Sequence, residues 1–207
     1  MATRTPRLDA DTRRRQILDA TRRVLARDGF SGLTMEVIAK EAGITRTPLY
    51  ALFGDLDALL RAAADDVEAR ALSAIPADLL ASPGDASPPQ VLAAAAERFL
   101  DAVRADPLTW QVLLMPASGR PDTLRRRYEQ RRREIIDRVE GLVRWGLAQV
   151  GGMPEGADSH VVARMIVAVG EDLGRLVLAE PDRWPPKRVA GAVADIVSLL
   201  PAGGGRA

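Results

Sequence analysis

The sequence contains no cysteine, and this absence excludes disulfide bonds, thiolate metal sites and cysteine nucleophiles together. A single histidine, His160, excludes metal sites with several histidine ligands and argues against a Ser-His-Asp triad. No apolar run approaches the roughly 18 residues of a membrane span, and no apolar segment follows the charged N-terminus as in a secretory signal. These absences favour a cytoplasmic protein that does not contact a membrane. They also favour a binding protein over an enzyme, with no metal and no cofactor.

The net charge of +1 conceals an asymmetry along the chain. Residues 1–50 hold ten Lys or Arg against six Asp or Glu, a net charge of +4, whereas residues 51–207 hold nineteen against twenty-two, a net charge of −3. A basic end joined to a mildly acidic remainder points to a polyanionic partner at the N-terminus. The 207 residues suit one or two domains and can bury a sizeable core without cross-links.

Hydrophobic periodicity predicts helix along almost the whole chain and no strand, so the predicted fold class is all-α. A first helix over 11–28 should end at Gly29, and two short helices should follow, separated by Gly43. Longer helices are predicted from Asp55 to about 75 and at about 90–105, 107–115, 122–150, 158–180 and 186–200. The stretch 82–89, rich in Pro, Ser and Gly, predicts a linker, and residues 202–207 predict a disordered tail.

The two short helices have the spacing of a helix-turn-helix. Such a motif needs a small residue where the helices touch, a glycine at the turn and an apolar anchor in the second helix. Ala39, Gly43 and Leu49 supply these features, although a generic helical hairpin could use the same residues. The second helix should then present polar side chains that can meet bases or phosphates in a major groove: Thr45, Arg46, Thr47 and Tyr50.

A longer pattern supports the DNA-binding interpretation over about the first 60 residues. It comprises Ile17-Leu18-Asp19-Ala20-Thr21, Gly29-Phe30, the run LTMEVIAKEAGI from Leu33 to Ile44, Leu49-Tyr50, Phe53 and Leu59-Leu60. In these motifs the sequence resembles the tetracycline-repressor (TetR) family of bacterial regulators. The resemblance implies a helix-turn-helix DNA-binding domain over residues 1–54, with a flexible arm over 1–10, and a helical effector-binding and dimerisation domain over 55–201.

The resemblance also implies a function. A member of this family is expected to be a ligand-responsive transcription factor, most simply a repressor, which binds a palindromic operator in double-stranded DNA as a homodimer and is released by a small-molecule effector. Two alternatives stay open: a DNA-binding regulator controlled by a protein partner without a ligand, and an enzyme that uses the helical half as its active site. No metal-ligand spacing, phosphate loop or nucleophile–base pair in the sequence supports the enzyme.

Two positions depart from the family pattern, and both would weaken contacts to phosphates. Leu52 stands where a polar residue usually precedes the motif's Phe, and Leu56 stands where the next helix usually begins with Lys. We therefore expect other side chains to carry more of the phosphate binding, since each phosphate contact adds about one unit to the salt dependence. The expected set is Thr34, Tyr50 and the arginines Arg4, Arg7 and Arg13.

The C-terminal half specifies no ligand, but its residue types suggest where one would bind. Aromatic residues make up 4% of the chain and most lie in this half, where aromatic and Met side chains could line a concave apolar site. Each could equally be an ordinary core residue. The predicted ligand-binding residues are Phe99, Val103, Trp110, Leu114, Met115, Tyr128, Ile135, Trp145 and Met165.

Three further features have competing interpretations. The last two helices carry broad apolar faces, which favour a two-fold bundle between subunits over burial within one subunit. Six arginines within residues 125–133 are interpreted as a solvated face that pairs with Glu129, Glu134 and nearby acids. Glu171 is predicted to pair with Arg175 at i,i+4, although it could also select a cationic ligand.

Overall fold

The computed structural model describes residues 9–74, 86–116, 119–149 and 158–198. Within these ranges the chain is all-α and contains no strand, as predicted. The helices are α1 (Ala10–Asp28), α2 (Met35–Glu41), α3 (Arg46–Phe53), α4 (Leu56–Ala74), α5 (Pro88–Ala105), α6 (Pro107–Leu113), α7 (Asp122–Gln149), α8 (Ser159–Ala179) and α9 (Pro186–Ser198).

Side-chain caps and glycines define the helix ends in the N-terminal part. The carboxylate of Asp9 accepts a hydrogen bond from the backbone N–H of Thr12 at 2.7 Å, which caps α1. Gly29 ends α1 with φ of 69°, a left-handed conformation that favours glycine. Thr34 and Asp55 cap α2 and α4 in the same way as Asp9. The predicted bounds of these helices are therefore confirmed to within a few residues.

The turn between α2 and α3 shows why a glycine is required there. Gly43 has φ of 65°, and its N–H donates to the carbonyl of Lys40 at 3.1 Å. The next N–H, of Ile44, donates to the carbonyl of Ala39 at 3.0 Å. The side-chain amide of Gln16 on α1 donates to the carbonyl of Ala42 at 2.7 Å, so α1 also holds this turn in place.

Two apolar clusters hold the molecule together. The first joins the three N-terminal helices to α4 and extends to Val112 of α6 and Leu124 of α7. The second joins α5 and α6 to Val177 of α8 and Val189 of α9. The N-terminal helices therefore share one apolar core with α4 and with parts of α6 and α7. A movement of α4 or α6 would alter the packing beneath the helix-turn-helix.

Several sequence-based interpretations are modified by the packing. Helix α9 packs along α5 of the same subunit, with Val189 and Ala190 buried, so part of its apolar face is used within one chain. Gly174 allows a close approach inside the subunit, because a Cβ at this position would lie 2.7 Å from Cδ1 of Leu114. Within the predicted linker, Pro88 and Pro89 already belong to α5. Residues 1–8 of the predicted arm over 1–10, residues 82–85 of the predicted linker and the tail lie outside the described residues, and Ala10 already belongs to α1.

The interpretation of the arginine run as a solvated face is correct only in part. Arg131 pairs with Glu134 at 2.7 Å on the surface of α7, as predicted. Arg127 and Arg132 instead turn toward other helices, where Arg127 pairs with Glu68 of α4 at 2.7 Å and Arg132 with Glu171 of α8 at 2.8 Å. Glu171 lies 3.9 Å from Arg175, so the predicted i,i+4 pair exists but is longer than the ion pair of Glu171 with Arg132.

Among the described helices, none is both long and apolar enough to cross a membrane.

Candidate DNA-binding surface and ligand cavity

Helix α3 presents its polar side chains outward because its apolar side chains anchor it. Leu49 is fully buried and Phe53 nearly so, and both belong to the N-terminal core cluster. The opposite face is exposed and carries the four predicted contact residues, Thr45, Arg46, Thr47 and Tyr50. An exposed helix of this kind with an arginine near its start can enter a major groove and reach base edges.

Arg46 already has an ion partner in the free protein. Its Nη2 lies 2.6 Å from Oε2 of Glu36 on α2, and both side chains are more than half exposed. An exposed ion pair of this type contributes little to stability, so the guanidinium can leave it for a guanine or a phosphate. Glu36 also places a negative charge beside the predicted DNA surface, which the DNA phosphates would repel.

The remaining predicted DNA contacts lie around this helix. Thr34 is exposed, and its hydroxyl accepts a hydrogen bond from the N–H of Val37 at 3.1 Å. Thr45 occupies the N-cap position of α3, but its hydroxyl does not accept a hydrogen bond from a backbone N–H of the helix. Arg13 is half-buried on α1, while Arg4 and Arg7 lie outside the described residues.

Leu52 and Leu56 are structural in this chain. Both are partly buried against the N-terminal core cluster, where polar residues would gain no packing. Leu52 and Leu56 therefore add to the apolar core under α3 and α4.

A large cavity is lined by residues from both the N-terminal and the C-terminal parts of the chain. It has a volume of about 650 Å³, within the range of pockets that bind small molecules. Its walls come from α4 to α9 and also from the N-terminal part, through Leu25 of α1 and Phe30 of the α1–α2 connection. The lining is mostly Leu, Val, Ala and aromatic side chains, so the interior favours an apolar ligand.

Six of the nine predicted ligand-binding residues line this cavity: Phe99, Trp110, Leu114, Tyr128, Ile135 and Met165. The rings of Phe99 and Trp110 meet edge to face, with centroids 5.1 Å apart. The structure does not bring the other three to the cavity wall. Val103 is fully buried in the second core cluster, and Met115 and Trp145 are partly buried elsewhere.

Charged residues of the wall were not predicted from the sequence. Arg120, Arg127, Arg131 and Arg132 line the cavity together with Glu68 and Glu171. The hydroxyl of Tyr128 lies 3.5 Å from Oε1 of Glu171, and burial raises the pKa of this phenol above its ordinary value. A partial signal was present in the sequence, because Arg127 and Arg131 are four residues apart and therefore share one side of α7.

A separate cluster of side chains with atoms that could bind a metal ion lies where the C-terminal half of α7 meets the start of α8. Ligand atoms of Asp137, Glu140 and His160 lie within 4.8 Å of one another. The carboxylate of Glu140 is already used, since it lies 2.9 Å from Nδ1 of His160 and accepts from the hydroxyl of Ser159 at 2.8 Å. These contacts, His160 first, lower the pKa of Glu140 and tie α7 to the exposed start of α8.

Comparison with known proteins finds a family match in the N-terminal part and a shared fold over most of the chain. Residues 17–63 match the family described as bacterial regulatory proteins, tetR family. A TetR-like transcriptional regulator from Rhodococcus sp. RHA1 is 24% identical, and the match covers 94% of this chain and 100% of that chain with a TM-score of 0.73. No curated protein matches the chain in sequence.

Two further solved structures share the fold and contain ligands. FadR from Bacillus subtilis, in complex with stearoyl-CoA, is 18% identical over 88% of this chain and 96% of that chain, with a TM-score of 0.64. AibR, in complex with isovaleryl coenzyme A and operator DNA, is 19% identical over 89% of this chain and 97% of that chain, with a TM-score of 0.72.

Helices α1, α2 and α3 form a helix-turn-helix domain, and the exposed face of α3 has the geometry of a DNA-recognition helix. Residues 17–63 match the tetR family model, as the sequence motif predicted, and the solved structures show that the fold is shared over most of the chain.

Proposed function

We propose that this regulator binds a palindromic operator as a homodimer and is a repressor that a small-molecule effector releases from DNA. One observation carries the proposal: the cavity wall includes Leu25 and Phe30, which belong to the DNA-binding part. A ligand that fills the cavity would therefore contact both the N-terminal part and the helices α4 to α9. No separate relay between two distant sites is needed.

On the DNA, α3 of each subunit would occupy one major groove. Arg46 would read a guanine edge, while Thr45, Thr47 and Tyr50 would contact phosphates or a thymine methyl group. Thr34 at the start of α2 and the arginines Arg4, Arg7 and Arg13 would bind the flanking backbone. Because two-fold symmetry places two α3 helices on the DNA, the half-sites should lie about one helical turn apart or more.

The dimer would form through the exposed apolar side of α8. Val161, Met165 and Val169 recur every four residues and are each at least half exposed, and Ile196 on α9 is 63% exposed. Water would leave these side chains if a second copy packed against them. The same arrangement divides the chain into a DNA-binding domain over 1–54 and an effector-binding and dimerisation domain over 55–201.

The effector would be largely apolar and would bind among the six predicted residues that line the cavity. The acyl-CoA ligands of FadR and AibR support a molecule with an acyl chain, since both proteins share this fold. The ligand would separate α4 and α6 from the N-terminal core and change the distance between the two α3 helices. The protein would act on DNA in the cytoplasm.

Selection of bound duplexes from a random DNA pool tests the DNA-binding part of the proposal. We expect enrichment of one palindrome, whose half-sites are bound by two subunits. Selected sequences without two-fold symmetry, or no enrichment at all, would argue against a dimer on an operator. The same pool with Arg46→Ala as the bait should give a palindrome that is relaxed at one position per half-site.

A further inference from the structure

Four arginines line the cavity, and three of them have carboxylate partners. Arg127 pairs with Asp65 and Glu68, each at 2.7 Å. Arg131 pairs with Glu134 at 2.7 Å, and Arg132 pairs with Glu171 at 2.8 Å. Arg120 differs from them, because no carboxylate among the described residues lies within 4 Å of its guanidinium.

The neighbours of Arg120 are carbonyl groups and aromatic rings. Its Nη2 donates to three backbone carbonyls at the end of α6, those of Val112 and Leu113 at 3.0 Å and that of Met115 at 2.9 Å. The guanidinium carbon lies 4.4 Å from the centre of the Tyr128 ring and 5.8 Å from that of Phe30. Its Nε is buried and has no hydrogen-bond partner in the described part of the chain.

These contacts leave the charge of Arg120 only partly compensated. Carbonyl oxygens and aromatic faces carry partial negative charge, but neither supplies a full counter-charge. Burial lowers the pKa of the Arg120 guanidinium, which reflects the cost of holding the cation away from water. A second buried donor in the wall, Nε1 of Trp110, also has no partner among the described residues. The wall therefore holds a cation whose charge the protein compensates only in part, and a ligand that brings acceptor oxygens would complete the compensation.

We propose that the cavity selects amphipathic anions, and that Arg120 binds the carboxylate or phosphate group of the ligand while the apolar walls of α5 and α8 enclose its chain. An anion would supply the counter-charge that the protein lacks at this point, and guanidinium–anion hydrogen bonds are among the stronger ones in proteins. Glu68 and Glu171 do not oppose such a ligand, because each is already paired with an arginine of α7.

The position of Arg120 also gives the anion a route to the DNA-binding part. The side chain holds the end of α6 and lies against Phe30, which packs on the N-terminal core cluster. A ligand oxygen that draws the guanidinium away from the α6 carbonyls would loosen both contacts. This inference rests on the proposed function, in which the cavity holds the effector.

Three probes with the same chain length test the inference on the full protein: dodecanoate, dodecyl phosphate and dodecan-1-ol. Binding is measured by isothermal titration calorimetry. We expect the two anions to bind the wild type at least about tenfold more tightly than the alcohol, since a charge-assisted hydrogen bond is stronger than a neutral one. The ratio of the two anions separates a carboxylate ligand from a phosphate ligand.

Variants assign the selectivity to Arg120. In Arg120→Met, both anions should fall to the affinity of the alcohol, while the alcohol itself changes by less than about threefold. Arg120→Lys, which keeps the charge but not the Nε donor, should retain part of the preference. Arg131→Met is the matched control, because this wall arginine already has carboxylate partners, and it should keep the preference.

Three results would overturn the inference. They are equal binding of the alcohol and the anions by the wild type, binding of no probe, or an equal loss of all three probes in a folded Arg120→Met. The wild-type ratio decides the matter if neither Arg120 variant folds. Operator binding without any probe is measured on the same samples, so a failure of the DNA-binding proposal is recognised separately from a failure of the anion assignment.

Discussion

The guanidinium of Arg22 donates from Nη1 to the hydroxyl of Thr109 at 2.8 Å, across 87 residues of sequence. Arg22 lies on α1 and is 6% exposed, and Thr109 lies on α6 and is 1% exposed. The same guanidinium lies 3.6 Å from carboxylate oxygens of Asp66 on α4 and Asp106 at the start of α6. A partly buried ionic network thus joins the DNA-binding part to α4 and α6, two of the helices that border the cavity.

Removal of one hydroxyl from this network should weaken the junction. Thr109→Val keeps the shape of the side chain but leaves Arg22 without its 2.8 Å acceptor and Asp106 without a 2.7 Å donor. We expect the free energy of unfolding to fall by about 1–3 kcal/mol, the cost of leaving a buried polar group unpaired. Urea denaturation followed by circular dichroism measures it. Thr123→Val, an exposed substitution on α7, is the control and should change little; equal effects would contradict the role of the network.

Substitutions of the two residues in the Arg46–Glu36 ion pair should change the affinity for DNA in opposite directions. Arg46→Ala should cost about 1–3 kcal/mol of specific binding and relax the base preference at one position, if this side chain reads a base. Glu36→Gln should raise the affinity for DNA, since it frees Arg46 and removes a negative charge near the phosphates. Fluorescence anisotropy on single-base operator variants checks both, with Arg126→Ala on α7 as a neutral control. A uniform loss across all sequences would mean that Arg46 contacts only phosphate.

Gly174 allows α8 to pack closely against Leu114 and Phe99 of the cavity wall. A Cβ at this position would meet Cδ1 of Leu114 at 2.7 Å and the Phe99 ring at 3.2 Å. Gly174→Ala should therefore lower the free energy of unfolding by about 1–3 kcal/mol through overpacking. Gly141→Ala on α7 is the matched control, because nothing lies within 4 Å of its Cβ position. That variant should gain roughly 0.5–1 kcal/mol from helix propensity. Thermal or urea unfolding that ranks the two variants in the reverse order would contradict the packing.

The exposed side of α8 predicts the dimer interface. Val161→Glu places a charge on this side without altering the cavity wall, of which Val161 is not a part. We expect the variant to be monomeric in sedimentation equilibrium and to lose most of its operator affinity, because only one α3 would bind at a time. Leu72→Glu, on an equally exposed apolar residue of α4, should remain dimeric. A dimeric Val161→Glu would exclude this surface as the interface.

Local signals were sufficient for most of the fold. The ends of α1 and α2, the cap at Thr34 and the left-handed turn at Gly43 each depend on residues within a few positions of one another. Their chemistry therefore appears directly in the sequence, and so does the spacing that exposes Arg46 while burying Leu49. The bounds of the later helices followed from the same periodicity.

The cavity required contacts that periodicity cannot supply. Glu68 pairs with Arg127 across 59 residues, and Glu171 pairs with Arg132 across 39 residues. A helical pattern shows that these side chains share a face, but it does not show which helix that face meets. For the same reason, the apolar character of Val103 and Trp145 did not reveal whether each residue lies in the core or in the cavity wall.

The coupling between cavity and operator is the central claim, and a reciprocal titration tests it most directly. The affinity for the selected operator is measured with and without a saturating concentration of the tightest-binding probe, and the affinity for the probe is measured with and without operator. We expect the probe to weaken operator binding by about 5- to 150-fold, and the operator to weaken probe binding by the same factor. An operator affinity that stays unchanged when the cavity is saturated would contradict the account.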